Sequence, residues 1–274
     1  SIMVPEQFRI KNTIKHPTSL LIGGLSKLGI EIAEALLEQG GYVVIVDTYS
    51  DKEFDLQSIF GKDVMVSFVD YTNLTHLDED LRRLDYIFFF LKESVDPRQK
   101  VSTQHFLNFS NYLDASLTLA SKFDAKFLLA TTIRTHQFLI YEQENYIKNS
   151  QNTSYTELEI HRYAENLTLE YVDRVDLDAR IVRIGEIIGD AIDLSLDSRF
   201  KDLILAAAKN EPLVLYKDGL ETEWLVHLLD AAYGVIKAQF SKNTKGEVFS
   251  VCYESPFTHL SICLLYTSPS PRDS

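Results

Sequence analysis

Between residues 19 and 47 a short apolar run, a glycine-rich turn, an amphipathic stretch and a second apolar run ending in a carboxylate follow one another directly. The runs Leu20–Ile22 and Tyr42–Val46 have the length and β-branched character of buried strands. The stretch from about Leu28 to Glu38 places Ile32, Ala35, Leu36 and Gln39 on one helical face, and Gly40-Gly41 stops it. A strand, a helix and a second strand so closely spaced make a β-α-β unit, which commits the chain to a parallel sheet. The joining turn reads Ile22-Gly23-Gly24-Leu25-Ser26-Lys27-Leu28-Gly29. Glycines here permit a tight turn, a close approach of backbone to a pyrophosphate and tight packing of helix on strand. The helix start adds unpaired N–H groups and partial positive charge. Asp47 stands where a carboxylate accepts hydrogen bonds from a ribose 2′-hydroxyl and repels a 2′-phosphate, so the unit is built for a dinucleotide, NAD in preference to NADP. The expected cofactor-binding positions are Gly23, Gly24, Ser26, Leu28, Gly29 and Asp47.

Candidate strands recur at Val64–Val69, Tyr86–Leu91, Lys126–Ala130, Arg180–Ile184 and Val248–Val251. Helical patterns cover Phe106–Lys122 and Tyr155–Arg174, the second carrying an apolar stripe of Ile160, Tyr163, Ala164, Leu167 and Tyr171. This alternation predicts an α/β fold, a Rossmann-type doubly wound parallel sheet. After Gly189 the pattern loosens, with helical segments near Arg199–Lys209 and Leu225–Phe240 around the turn Tyr216-Lys217-Asp218-Gly219. The expected organisation is a dinucleotide-binding domain over residues 1–189 and a partial, C-terminally truncated substrate lobe over 190–262, some of whose elements return to the first domain. From Cys263 the chain reads Leu-Leu-Tyr-Thr-Ser-Pro-Ser-Pro-Arg-Asp273, aperiodic and similar to an in-frame translation of a transposase-type sequencing adapter. Residues 263–274 are therefore expected to be an added tail, and the chain a fragment.

A formal net charge of −13 disfavours nucleic acid and anionic membranes as partners, because both need Lys and Arg to neutralise phosphate. Two cysteines, Cys252 and Cys263, exclude a disulfide framework and fit a reducing compartment. No stretch has the apolar length of a membrane span, so a cytoplasmic location is expected. The seven histidines are scattered without metal-ligand spacing, and no metal site is expected. Neither a Gly-x-Ser-x-Gly elbow nor a Walker loop occurs, and the acidic run Asp78-Glu79-Asp80 is simplest as a solvated helix face.

With these pieces in order, the chain resembles the extended short-chain dehydrogenase/reductases, especially the nucleotide-sugar epimerases, dehydratases and UDP-glucuronate decarboxylases. Their turn is similar to Gly-Gly-x-Gly-x-x-Gly, matched by Gly23, Gly24 and Gly29, with Ser26 at the middle glycine. Asp70 corresponds to the acid that holds adenine. Lys126-Phe-Leu-Leu-Ala-Thr-Thr132 resembles the strand carrying a catalytic Ser/Thr, and Arg162-Tyr-Ala-Glu-Asn-Leu-Thr168 the continuation of the catalytic helix. Asn210–Gly219 resembles the substrate-lobe turn of the decarboxylases, and Leu225–Ala232 the start of its following helix. The resemblance runs from Leu20 to about Ile262. It implies NAD as cofactor, a nucleotide-sugar or other small molecule as ligand, and a homodimer formed through the helices near Phe106–Lys122 and Tyr155–Arg174.

Catalysis in that family oxidises a sugar hydroxyl by hydride transfer to NAD. A Tyr is the base, a Lys four residues later lowers its pKa, and a Ser/Thr orients the hydroxyl, the spacing placing Tyr and Lys on one helix face. Thr132 matches the third role. Aligned without a gap on Arg162–Thr168, Glu157 falls at the Tyr position and His161 at the Lys position; with Tyr155 as base, Glu159 replaces Lys. Thr132, Tyr155 and His161 are thus the catalytic candidates, without a Tyr-x-x-x-Lys dyad. The simpler assignment of Ser154-Tyr-Thr-Glu157 is a capping box, with Glu157 and His161 a solvated surface pair. Phe89-Phe-Leu-Lys-Glu93 stands where the family has small residues beside the cofactor, Asn108 or Asn111 could match its helix Asn, and Glu186 replaces an Asn near the substrate phosphates. Two functions stay open: an NAD-dependent enzyme of nucleotide-sugar chemistry, and a catalytically inactive NAD- or nucleotide-binding relative with a structural or regulatory role.

Overall fold

The structure is a computed structural model that describes residues 6–48, 55–61, 63–91, 103–133, 155–189, 199–215, 218–220 and 222–267, without the side chains of 103, 155–158, 199–201 and 265–267. The main sheet is built from β1 (Thr18–Ile22), β2 (Tyr42–Asp47), β3 (Val66–Asp70), β4 (Tyr86–Phe90), β5 (Lys126–Thr132), β6 (Ala179–Ile184) and β10 (Val248–Val251). Its seven strands lie in the order β10-β6-β5-β4-β1-β2-β3, and every pairing is parallel. The order reverses direction at β1, whose neighbours are β2 and β4, so this is a doubly wound Rossmann-type sheet with its switch point beside the glycine turn.

Strands buried on both faces explain why the apolar runs are continuous rather than alternating. Leu21, Phe88 and Leu128 face the layer made by α1 (Lys27–Glu38), α2 (Leu56–Phe60) and α7 (Leu228–Phe240), packing with Ile32, Leu36, Ala231 and Val235. Leu20, Phe89 and Leu129 face the opposite layer of α4 (Thr103–Phe123) and α5 (Tyr155–Val175), packing with Leu113, Leu117 and Ala164. The short helix α3 (Leu77–Asp80) follows a 3₁₀ turn over Tyr71–His76. Phe88 and Leu128 are fully buried, and each such side chain contributes roughly 1.5–3 kcal/mol by leaving water.

The remaining elements form a smaller lobe whose first strand precedes Gly189, earlier than the expected boundary. In it β7 (Glu186–Ile188) pairs in parallel with β9 (Leu225–His227), and β8 (Thr222–Glu223) pairs antiparallel with β11 (Phe257–Thr258). Helices α6 (Arg199–Ala208) and α8 (His259–Thr267) pack on them around Ile204, Leu225 and Ile262. Two local expectations are corrected. Leu225–His227 is a strand rather than the first turn of a helix, because it pairs with β7, and His227 then caps α7 by accepting from Leu229 N at 3.2 Å. Val64 is 71% exposed and precedes β3, since Asp63 turns the chain by accepting from Met65 N. Cys263–Thr267, the start of the segment expected to be an added tail, continues α8, and Cys263 is buried.

Candidate functional site

The turn between β1 and α1 separates the glycines the fold requires from the one a cofactor requires. Gly23 has φ of 72°, a conformation L-residues avoid, and its N–H donates to Val46 O at 2.8 Å. A β-carbon there would lie 2.6 Å from Phe90 O. A β-carbon on Gly29 would lie 2.2 Å from Gly24 O, so glycine alone lets α1 approach the turn. Those are the tight-turn and helix-packing roles of a dinucleotide fingerprint. The middle position, whose glycine normally admits the pyrophosphate, is Ser26 in an extended conformation, φ −132° and ψ 165°. It is the N-cap of α1, its Oγ accepting from Gly29 N at 3.0 Å. A helix leaves its first N–H groups without intrahelical acceptors, and these are what an anion would bind. Ser26 already takes one of them. Leu28, in the first turn of α1, buries its side chain in the core beside Ile32.

The fold brings Asp47 onto this turn. It ends β2, is 2% exposed, and accepts from Leu25 N at 2.8 Å through Oδ2 and from Thr48 N at 2.7 Å through Oδ1. These charge-assisted bonds hold the carboxylate against the glycine loop. Asp70 ends β3 in register with Asp47. Its Oδ1 caps the following 3₁₀ turn, accepting from Thr72 N at 3.0 Å and from Thr72 Oγ1 at 2.8 Å. Gly23, Gly24, Ser26, Leu28, Gly29, Asp47 and Asp70 therefore gather at the carboxyl ends of β1, β2 and β3.

The catalytic candidates sit further along the same edge. Thr132 is the last residue of β5, partly buried and in register with Ile184. Tyr155 is the first residue of α5, and its side chain lies outside the described residues. His161 is 4% exposed, which corrects its assignment to a solvated surface pair. The reason is the helix face. Glu165, one turn later, is turned toward the sheet by three bonds, and residues four apart share a face. Thr131 Oγ1 donates to Glu165 Oε1 at 2.8 Å, Arg183 Nε to the same oxygen at 2.9 Å, and Arg183 Nη2 to Glu165 Oε2 at 2.7 Å. The Glu165 hydrogen bonds push the Arg183 guanidinium above its ordinary pKa, against the opposing effect of burial. His161 thus lies on the buried side of α5, toward the carboxyl end of the sheet. Glu186, at the position expected near substrate phosphates, is 6% exposed at the start of β7.

Sequence reasoning missed Glu165 and Arg183 as site residues. It also missed Tyr71, whose hydroxyl lies 3.2 Å from where a Gly23 β-carbon would stand. No group of three or more metal-binding side chains occurs among the described residues. No helix among them is long and apolar enough to cross a membrane.

With this geometry in hand, comparison with known proteins defines the class. The sequence model of the NAD dependent epimerase/dehydratase family matches residues 19–252, and the chain belongs to that family. No curated protein matches it by sequence. Among solved structures it is similar to an epimerase from Methanothermobacter thermautotrophicus, with TM-score 0.73, 16% identity, and coverage of 92% of this chain and 76% of that one. It is similar also to dTDP-glucose 4,6-dehydratase from Bacillus anthracis in complex with NAD, with TM-score 0.70, 17% identity, and coverage of 92% and 82%. A third is UDP-glucuronic acid 4-epimerase from Bacillus cereus in complex with UDP-glucuronic acid and NAD, with TM-score 0.67, 18% identity, and coverage of 91% and 82%.

Proposed function

We propose that this protein binds NAD across the carboxyl edge of its sheet and acts on a nucleotide-sugar. The observation that carries the reading is Asp47, buried at the end of β2 and bonded to the glycine turn through Leu25 N–H. A carboxylate so held would meet a ribose 2′-hydroxyl and repel a 2′-phosphate. Bound NAD would supply hydride acceptance. Of the chain's own residues, Gly23, Gly24, Ser26, Leu28, Gly29, Asp47 and Asp70 would hold it, and Thr132 would orient a substrate hydroxyl, with Tyr155 or His161 as base. The lobe of β7, β8, β9 and β11 would close over the sugar. The family and the related complexes with NAD and UDP-glucuronic acid support this reading. A homodimer through α4 and α5 and a cytoplasmic location belong to the same proposal. Leu107 on α4 and Tyr163 on α5 remain 50% and 38% exposed in the single chain.

A second reading, a catalytically inactive relative, is favoured by one observation. In neither register does a lysine stand four residues after a tyrosine: His161 falls at the lysine position when the helix is aligned without a gap, and Glu159 when Tyr155 is the base. The two are separated by incubating the protein with NAD and UDP-glucose or UDP-glucuronic acid and following the anomeric protons by NMR. New sugar signals establish the enzyme. Binding of the sugar nucleotide without conversion establishes the inactive relative.

A further inference from the structure

One side chain at the glycine turn is accounted for neither by the glycine pattern nor by the family resemblance. Tyr71 follows Asp70 at the end of β3, and its ring stacks on Tyr112 of α4 with centroids 4.7 Å apart and planes 21° from parallel. The stack directs the Tyr71 hydroxyl to within 3.2 Å of the place a Gly23 β-carbon would occupy. Gly23 is bonded to Val46 O, one residue before Asp47, so the turn, the carboxylate and the phenol converge. Burial first, then the Asp47 charge, pushes the phenol well above its ordinary pKa, so it is neutral at physiological pH. Its hydroxyl makes no hydrogen bond among the described residues. It is held there by the ring stack.

A dinucleotide lays its pyrophosphate over the glycine turn and its adenosine ribose against the acid at the end of the second strand. The Tyr71 hydroxyl stands beside Gly23 and within electrostatic reach of the Asp47 carboxylate. An oxygen 3.2 Å from the β-carbon position of Gly23 lies against the turn that a pyrophosphate must approach. We propose that Tyr71 is an internal occupant of the adenosine half of the cleft and sets its nucleotide affinity. A nucleotide seats when the ring turns away from Gly23, giving up its stack on Tyr112. This rests on the dinucleotide reading above and adds a specificity-determining residue to it.

Calorimetry of the whole chain with NAD, AMP and nicotinamide mononucleotide tests the proposal, using wild type, Tyr71→Ala and Tyr71→Phe. Releasing the cleft from the stack is expected to tighten NAD and AMP binding to Tyr71→Ala by about fivefold. The mononucleotide, which lacks adenosine, should not respond. Tyr71→Phe removes the oxygen but keeps the ring and its stack, so it should tighten binding by less than Tyr71→Ala does. Should Tyr71→Ala not fold, Tyr112→Ala removes the stack with Tyr71 intact and carries the same expectation. If wild type binds NAD and the alanine variants bind equally or more weakly, the occupant role is overturned and the dinucleotide reading stands. Weakening in Tyr71→Phe would instead make the hydroxyl a ligand contact and overturn it likewise. If no variant binds NAD or AMP, both fall.

Discussion

Arg183 donates from Nε and Nη2 to the two carboxylate oxygens of Glu165, at 2.9 and 2.7 Å, joining the middle of α5 to the end of β6. The side chains of both residues are largely buried, at 16% and 8% exposure, and Thr131 of β5 donates to the same carboxylate. The cluster fixes how α5 sits on the sheet, and so where His161 lies relative to Thr132.

Glu165→Gln removes the charge that faces Arg183 while keeping the shape of the side chain. Breaking a buried pair from one side leaves a cation without its counter-charge, at a cost of about 3 kcal/mol. Urea unfolding should show that loss. A change below about 0.5 kcal/mol would mean that the pair is solvated and does not anchor α5.

Ser26→Ala removes the cap of α1 and should cost about 1 kcal/mol in the same unfolding measurement. Ser26→Gly should cost only a few tenths of a kcal/mol. It also releases Gly29 N–H toward a phosphate. Calorimetry with NAD should then show a gain of about fivefold, the value of one ordinary hydrogen bond. Unchanged or weaker binding would show that the serine is no obstacle to the pyrophosphate.

Asp47→Asn keeps an acceptor for Leu25 N–H and removes the negative charge. The preference for NAD over NADP should narrow by about tenfold or more, since a like-charge clash with a 2′-phosphate is worth over 1.4 kcal/mol. An unchanged ratio of the two dissociation constants would place the 2′-position elsewhere.

Tyr71 gives a pH signature without any ligand. Its folded pKa is raised, mainly by burial and then by Asp47. The folded protein therefore keeps a proton that the unfolded chain releases near pH 10. The associated stability is complete below that pH and is lost as pH rises beyond it. Tyr112 and Tyr171 are raised in the same direction, so Tyr71→Phe should make the alkaline loss shallower rather than abolish it. An identical alkaline profile would mean the phenol is exposed.

The parallel sheet was legible because strands buried on both faces must be apolar throughout, as Tyr42–Val46 and Phe127–Ala130 are. The glycine turn was legible because its constraints are local to residues 22–29. The strand at Leu225–His227 was not. Its apolar positions continue those of α7 at helical spacing, and pairing with the three residues of β7 overrides that local preference. The buried setting of His161 was hidden for a similar reason. At i,i+4 spacing Glu157 and His161 fit a surface pair, and only the bonds from Thr131 and Arg183 to Glu165 show which face of α5 meets the sheet. Tyr71 reaches Gly23 across the ends of three strands, a proximity with no trace in sequence spacing.

The central claim, a cleft for NAD built on Gly23, Gly29 and Asp47, is tested most directly by titrating NAD and NADP into the protein in a calorimeter. One NAD bound per chain, more tightly than NADP, is the predicted result. Heat from neither cofactor, or tighter binding of NADP, would contradict it.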